Sequence, residues 1–413
     1  SGLLKHYLTL FLCYSLVFTD IQFCYQLYVM VRAMKKYLFV INNMEIGGTR
    51  SSLLNLLHLL VNEDVKVDLL LLSPHGILKD QIDNKVTQLR TPYMCEIIYT
   101  KNSNLRGIRR ILGYALSTFQ KICGKDIVAK IAAFEVNKSN NIDYDLVIGF
   151  QEGDTVNVSA YIQGKKHYCW IHNNATDIGT NGLGSLNAFK QMTKIFFVAK
   201  TAQNDFINKI PEFEAKTDVI KNTLNINEIK GKAEKRVTDL PNETDKVLKL
   251  VSVGRFVPQK AFYRILETAI NLKESQIPFK WLVVGDGPER SSFLKSVNEM
   301  GLTNQVISLG AKTNPYPYIK WADLLVVTSK YESQPMVILE GLVLGKPVLS
   351  TNFESAAELL GGKDFGYLCP NTDLGVVEGM KRILDKDLYD RMSEASKQFS
   401  YNNSSIVKSI LDL

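Results

Sequence analysis

The sequence is poor in the residues that build metal centres and disulfide frameworks. Its six cysteines, at 13, 24, 95, 123, 169 and 369, include no CxxC pair, which excludes a zinc ribbon and a disulfide scaffold. Its five histidines include no HxxxH pair, which argues against a histidine-built metal centre. With 12 prolines and 26 glycines it is neither collagen-like nor linker-rich. It also lacks the charge excess of a disordered chain, since 22% of its residues are charged and 46% hydrophobic. What remains is ordinary globular composition over 413 residues, enough for two to three domains, each with its own core. A net charge of +7 favours an anionic partner such as a nucleotide, a phosphate or a lipid headgroup. No recognised nucleic-acid-binding module is present, so nucleic acid is not expected.

Residues 3–31 are apolar and aromatic, but Lys5, Asp20, Gln22 and Gln26 interrupt the run, and a spanning helix needs about 20 nearly uncharged residues. No convincing signal-peptide cleavage site precedes Tyr37. The expectation is that Met34 is the natural start and that 1–33 is an apolar extension dispensable for catalysis. A membrane-associating helix and an amphipathic helix packed on the domain are the alternatives.

Beyond it, strands and helices alternate. Tyr37–Asn42 predicts a buried strand, Gly47-Gly48 a loop, SSLLNLLHLLVN a helix and VKVDLLLLS a second strand. Further strands are expected at Cys95–Thr100, Asp145–Phe150, Lys166–Ile171 and Lys194–Ala199. A polar stretch, 226–246, shows no apolar period and reads as a linker. The alternation then restarts with VLKLVSVGRF, KWLVVGDG, VISLG, DLLVVTS and PVLST as strands. The fold class is therefore α/β, with two Rossmann-like doubly wound parallel sheets facing a central cleft. The domains are 34–225 and 247–390, with a C-terminal helix in 391–413 that crosses back to the first domain.

Ligands of open parallel sheets bind beyond the carboxyl ends of the strands, so the residues there carry the chemistry. Glu332 and Glu340 follow the strand DLLVVTS, Glu332 in the loop and Glu340 within a helix that begins near Pro335. The Met336 and Val337 N–H groups at that helix start suit an anion. Gly254, Arg255 and Lys260 follow LKLVSV, where guanidinium and ammonium groups could hold a diphosphate without metal. Gly285-Asp286-Gly287-Pro288-Glu289-Arg290 echoes a dinucleotide fingerprint but has Arg290 in place of the third glycine, so it is rejected as one. Its glycines still permit close backbone approach to a ligand. Asp385-Lys-Asp387 reads as the solvated face of a late helix, not a metal site.

Together these segments resemble the retaining, nucleotide-sugar-dependent glycosyltransferases of family 4, which have the GT-B fold. The resemblance rests on Ser252–Lys260, Val284–Pro288, Leu309-Gly310, Asn314–Tyr318, Ala322–Leu325, Glu332–Glu340 and Leu344–Val348, and in the first half on Gly47-Gly48, Glu152-Gly153, Trp170–Asn173 and Asn222. It implies that Glu332 holds the donor sugar near the reaction centre and that Glu340 binds the ribose. Arg255 and Lys260 would clamp the diphosphate, Gly47 and Gly48 would let the backbone approach the donor, and His172 would lie near the acceptor hydroxyl or the sugar. Gly254, Gly285, Asn314, Pro335, Met336 and Val337 complete the implied donor site. Ser333 and Ala261 stand where the family has glycine, and both are expected to narrow the donor pocket.

The implied activity is metal-independent, retaining transfer of a hexose-type sugar from a nucleoside diphosphate sugar to a glycan or lipid-linked acceptor, in cell-surface polysaccharide synthesis. Residues 101–138 carry Lys101, Arg106, Arg109, Arg110, Lys121, Lys125, Lys130 and Lys138 among apolar residues. An anionic membrane surface and an ordinary solvated helix pair fit this segment equally well. A cytoplasmic protein, peripheral on the inner face of the membrane, is expected. The rival functions are a non-hydrolysing sugar-nucleotide epimerase on the same fold and a non-catalytic nucleotide-sugar binding protein.

Overall fold

The computed structural model describes residues 34–140, 142–175, 180–241 and 247–413. The apolar stretch 1–33 lies outside the described residues, as do 242–246 of the expected linker.

The first sheet takes its strands from runs that are apolar on both faces, the pattern of a parallel sheet covered on both sides. They are β1 (Lys35–Ile41), β2 (Val65–Leu71), β3 (Thr87–Gln88), β4 (Tyr144–Gly149), β5 (Gly164–Ile171), β6 (Lys194–Phe197) and β7 (Thr217–Val219). All pair in parallel, in the order β3-β2-β1-β4-β5-β6-β7. The second sheet repeats the plan with β8 (Leu248–Val253), β9 (Phe279–Val284), β10 (Val306–Gly310), β11 (Leu324–Val327), β12 (Val348–Thr351) and β13 (Gly366–Cys369), in the order β10-β9-β8-β11-β12-β13. Strand order reverses between β1 and β4 in one sheet and between β8 and β11 in the other. The loops after these four strands therefore splay apart and leave a crevice in each domain. This is the GT-B arrangement that the motifs implied.

Three expectations are corrected. Cys95–Thr100 is not a strand: Tyr93–Tyr99 is a helix. A short apolar run is ambiguous between the two states. Here Pro92 starts the helix, and Glu135 accepts the Met94 N–H at 2.8 Å in its first turn. The sheet edge is instead β3, and neither β3, β7 nor β13 is signalled by a long apolar run. Second, 226–246 is not simply a linker. Ile226–Ala233 is a helix capped by the Asn225 side chain, with Ile229 and Ala233 buried. Further on, Asp239 accepts from Lys312 at 2.6 Å and from Tyr318 at 2.7 Å. Two buried apolar positions among so many charges were too few to register as a period.

Third, 391–413 is not one helix. Lys386–Lys397 stays with the second domain, and Asp385 is its N-cap, accepting the Leu388 N–H at 3.1 Å. The crossing helix is Asn403–Leu411. Its Val407 and Ile410 enter the first-domain core beside Leu53 and Leu57.

Candidate active site

In the second domain the loop after β8 is packed by backbone on the side away from β11. Gly285, at φ +147°, lies against Gly254, where an added Cβ would meet the Gly254 carbonyl oxygen at 1.7 Å. Gly287, at φ +155°, would meet the Phe256 oxygen at 2.5 Å. These glycines pack the β9 loop onto the β8 loop, so Gly285 is required by the chain's own backbone packing. Arg255 is exposed at the tip of the β8 loop.

Lys260 turns back from that loop, and its Nζ lies 2.7 Å from Glu332 Oε2. Ser329 Oγ donates to the other oxygen of Glu332 at 2.7 Å. Thr328 Oγ1 donates to the Lys260 carbonyl at 2.7 Å. The two groups that the sequence separates into phosphate clamp and sugar carboxylate thus form one ion pair, with only 16% and 11% of their side-chain surfaces exposed. Ala261 holds φ +48°, the left-handed conformation a glycine would supply without strain. The backbone that sets Lys260 keeps the glycine conformation although the glycine is absent.

Glu340 lies in the helix Met336–Val343. The first backbone bond at its start is Ile338 N–H to Pro335 O, so the Met336 and Val337 N–H groups precede the helical ladder. Burial pushes the Glu340 carboxyl up to about 7, against the opposing pull of the Tyr316 hydroxyl and of Lys260. That hydroxyl donates to Glu340 Oε1 at 3.3 Å. Asn314 is occupied elsewhere, its amide donating to Lys232 O at 2.9 Å and its oxygen accepting the Tyr316 N–H at 3.3 Å. It fixes the Tyr316 turn and the helix Ile226–Ala233.

The first domain contributes the loops after β1, β4 and β5. An added Cβ at Gly48 would meet nothing within 4 Å, and one at Gly47 only the Arg50 side chain at 3.9 Å. The chain's own packing does not require these glycines, so the space they leave faces outward. Arg50 was not singled out by the sequence reading, although it stands three residues after Gly47. Its guanidinium donates to Asn43. Burial lowers its proton affinity, Glu152 and Glu45 oppose that, and Arg255 of the other domain adds to it. Arg255 is the weakest of these influences on Arg50.

Glu152 holds the His172 N–H at 2.9 Å and also accepts from the Asn173 amide. His172 is buried against the Phe150 ring, 4.9 Å between centroids. Burial, and then Arg50, push its imidazole down to about 3. It is thus neutral at physiological pH. Its Nε2 has no hydrogen-bond partner among the described residues.

The two halves are latched. Ser333 Oγ donates to Asn174 Oδ1 at 3.1 Å, and the Asn222 N–H donates to Gln334 Oε1 at 3.0 Å. The hydroxyl expected to narrow the donor pocket thus spans the domains. Between them lies a cavity of about 650 Å³, lined by Asn174, Asn204 and Asp205 on one side and by Lys330, Tyr331 and Glu332 on the other. The structure therefore gathers Lys260, Glu332, Ser329 and Asn174 at the domain interface, with Arg50 near Arg255 across the cleft. Gly285 and Asn314 serve the scaffold. Ser329, Tyr316 and Asn174 carry no signal at the sequence level that separates them from any polar loop residue.

Residues 233–399 match the sequence model of the glycosyl transferases group 1. The chain is 28% identical over 169 residues to the lipopolysaccharide core biosynthesis glycosyltransferase LpsD of Rhizobium meliloti, covering 40% of this chain and 48% of that one. It is also 28% identical over 162 residues to the N-acetyl-alpha-D-glucosaminyl L-malate synthase of Bacillus anthracis, covering 39% and 42%. The chain thus spans about half the length of the curated relatives it matches. Among solved structures it resembles Anabaena HepE in complex with UDP and glucose, with TM-score 0.66, 15% identity and coverage of 92% and 98%. At that identity the likeness shows the fold.

Proposed function

We propose that this chain, whose second domain matches the glycosyl transferases group 1, moves a sugar from a nucleoside diphosphate sugar to a glycan or lipid-linked acceptor, with retention and without metal. The observation that carries the reading is the Lys260–Glu332 pair at the switch point of the second sheet, with Asn174 of the first domain lining the same cavity as Glu332. The difficult step breaks the bond from C1 to the phosphate oxygen, and the electron pair leaves with the diphosphate. Cations fixed where that charge grows stabilise the transition state most. Lys260 and Arg255, with Arg50 across the cleft and the N–H groups of Met336 and Val337, supply such a field. Among the described residues no three His, Cys, Asp or Glu side chains are gathered as a metal ion needs.

Glu332 faces the sugar ring, where positive charge develops, and Glu340 receives the ribose hydroxyls. His172, pushed down to about 3, is too weak a base to take the acceptor proton. The departing phosphate oxygen takes it instead, and the neutral imidazole offers a hydrogen bond to acceptor or sugar. HepE, whose structure holds UDP and glucose, and the lipopolysaccharide relative support a nucleotide-sugar donor and a surface-polysaccharide acceptor. We place the reaction in the cytoplasm, at the inner face of the membrane.

The test is a donor screen read by released nucleotide, with lipid extract as acceptor and with and without EDTA, followed by NMR of the product's anomeric proton. Release that persists in EDTA and yields the donor's own anomer supports the reading. A strict divalent-metal requirement or an inverted product overturns it. An interconverted sugar nucleotide, with no transfer, would assign the chain to the epimerases.

A further inference from the structure

The helix Ile108–Cys123 is turned the wrong way round for a soluble protein. Its apolar residues Ile108, Ile111, Leu112, Ala115, Phe119 and Ile122 fall on one face, and a surface helix normally buries such a stripe. Here every one of them is exposed, Ile108 at 70%, Ile111 at 69% and Ile122 at 78%. The side that packs carries few apolar groups, with Leu116 and Cys123 only half-buried. Gly113 is the helix's buried residue, with Ser117 and Gln120 half-buried beside it. A Cβ at Gly113 would meet Asn102 Oδ1 at 2.4 Å and Leu105 Cδ1 at 2.9 Å, so the glycine lets the helix dock by that side.

The next helix, Lys125–Ser139, has two apolar faces. Val128, Ala129, Ala132, Ala133 and Val136 are buried in the core, while Ile127, Ile131 and Phe134 are exposed, Phe134 at 69%. Cations outnumber carboxylates around these outward faces. Glu96 is paired with Arg109 at 2.8 Å, Asp126 is held by Ser185 and Asn187, and Glu135 accepts the Met94 N–H. Arg106, Arg110, Lys121 and Lys138 are exposed.

We propose that the exposed face of Ile108–Cys123, continued by Ile127, Ile131 and Phe134, docks on an anionic lipid bilayer, with the helix lying in the interface plane. Apolar side chains ringed mostly by cations, with these carboxylates held within the chain, complement acyl chains under a layer of anionic headgroups. A second copy of the same face would set cation against cation. No helix among the described residues is long and apolar enough to cross a membrane, so contact through this face is peripheral. The inference extends the transfer reading by placing the enzyme beside lipid-linked acceptors, but its test needs no turnover.

The experiment is co-sedimentation of the full chain with vesicles of phosphatidylglycerol and phosphatidylcholine (1:1), and with phosphatidylcholine alone. It compares wild type with Ile111→Asp/Ile122→Asp, whose substituted side chains already face water. The expected result is binding to the anionic vesicles that weakens with salt, at least tenfold weaker binding to neutral vesicles, and at least tenfold loss in the double variant at unchanged Tm. Undiminished binding of the double variant would overturn the proposal and point to another segment, residues 1–33 included. Equal binding to neutral vesicles, no binding by wild type, or a wild-type dimer that the variant dissociates would overturn it too. Nucleotide release with a soluble acceptor, measured on the same samples, separates the readings: lost release with retained binding sinks the transfer reading alone.

Discussion

Lys260→Ala removes one partner of a pair in which each group serves both the fold and the reaction, and the two losses separate by a double variant. Breaking a fully buried pair costs about 3–5 kcal/mol, because the remaining charge is stranded. Here the pair keeps 16% and 11% of its side-chain surface, and Ser329 still donates to Glu332. Solvent screening and that hydroxyl reduce the expected cost to about 1–2 kcal/mol. For a domain of this size that lowers Tm by roughly 2–8 °C. Lys260→Ala/Glu332→Gln removes the stranded carboxylate and should recover most of the loss. Catalysis should not recover with it. Losing one preorganised stabiliser of developing charge slows transfer by roughly 10²–10³, and the double variant lacks the carboxylate at the sugar as well. The assays are thermal unfolding and initial rates of nucleotide release at saturating donor. Wild-type rates in Lys260→Ala would refute the clamp. Rates restored in the double variant would show that neither group is catalytic and that the single variant fails through its stranded carboxylate.

Glu340→Gln should mainly raise KM, because the ribose is bound alike in ground and transition states, whereas Glu332→Gln should lower kcat; steady-state kinetics showing the reverse would exchange the two roles. Donor affinity, measured by calorimetry with an intact nucleotide sugar whose diphosphate does not titrate near neutrality, should weaken as pH falls through about 7, where Glu340 gains its proton. That inflection should vanish in Glu340→Gln and move upward in Tyr316→Phe, which removes the hydrogen bond that favours the carboxylate. The same raised pKa leaves the folded chain more protonated than the unfolded one between the ordinary carboxylate range and about 7. Glu340's contribution to stability therefore falls as pH rises through that window, and unfolding midpoints for wild type and Glu340→Gln should show it. Gly48→Ala should leave Tm unchanged or raise it, by about 0.4–1 kcal/mol of stability, since none of the described residues offers a packing atom within 4 Å of the new Cβ. It should raise donor KM, and an unchanged KM would remove the β1 loop from the site.

The sequence by itself determined the two sheets and most of their strands, because parallel strands buried on both faces must be continuous apolar runs, and YLFVI, LVIG, LKLVSV and LLVV are such runs. It determined that Arg255, Lys260 and Glu332 stand in loops that follow strands, because those runs stop before them, and that Glu340 stands in the helix after one. Tertiary structure alone decided which charges meet. Lys260 and Glu332 are 72 positions apart in the chain, and their contact follows from β8 and β11 lying side by side at the switch point. It decided that Gly285 packs on backbone, since that depends on how closely the β9 loop crosses the β8 loop. It brought Arg50 toward Arg255 and Ser333 to Asn174, because the domains face each other and no local pattern encodes a partner in another domain. It also decided the orientation of Ile108–Cys123: periodicity shows that a helix has an apolar face, but the contact at Gly113 turns that face toward solvent.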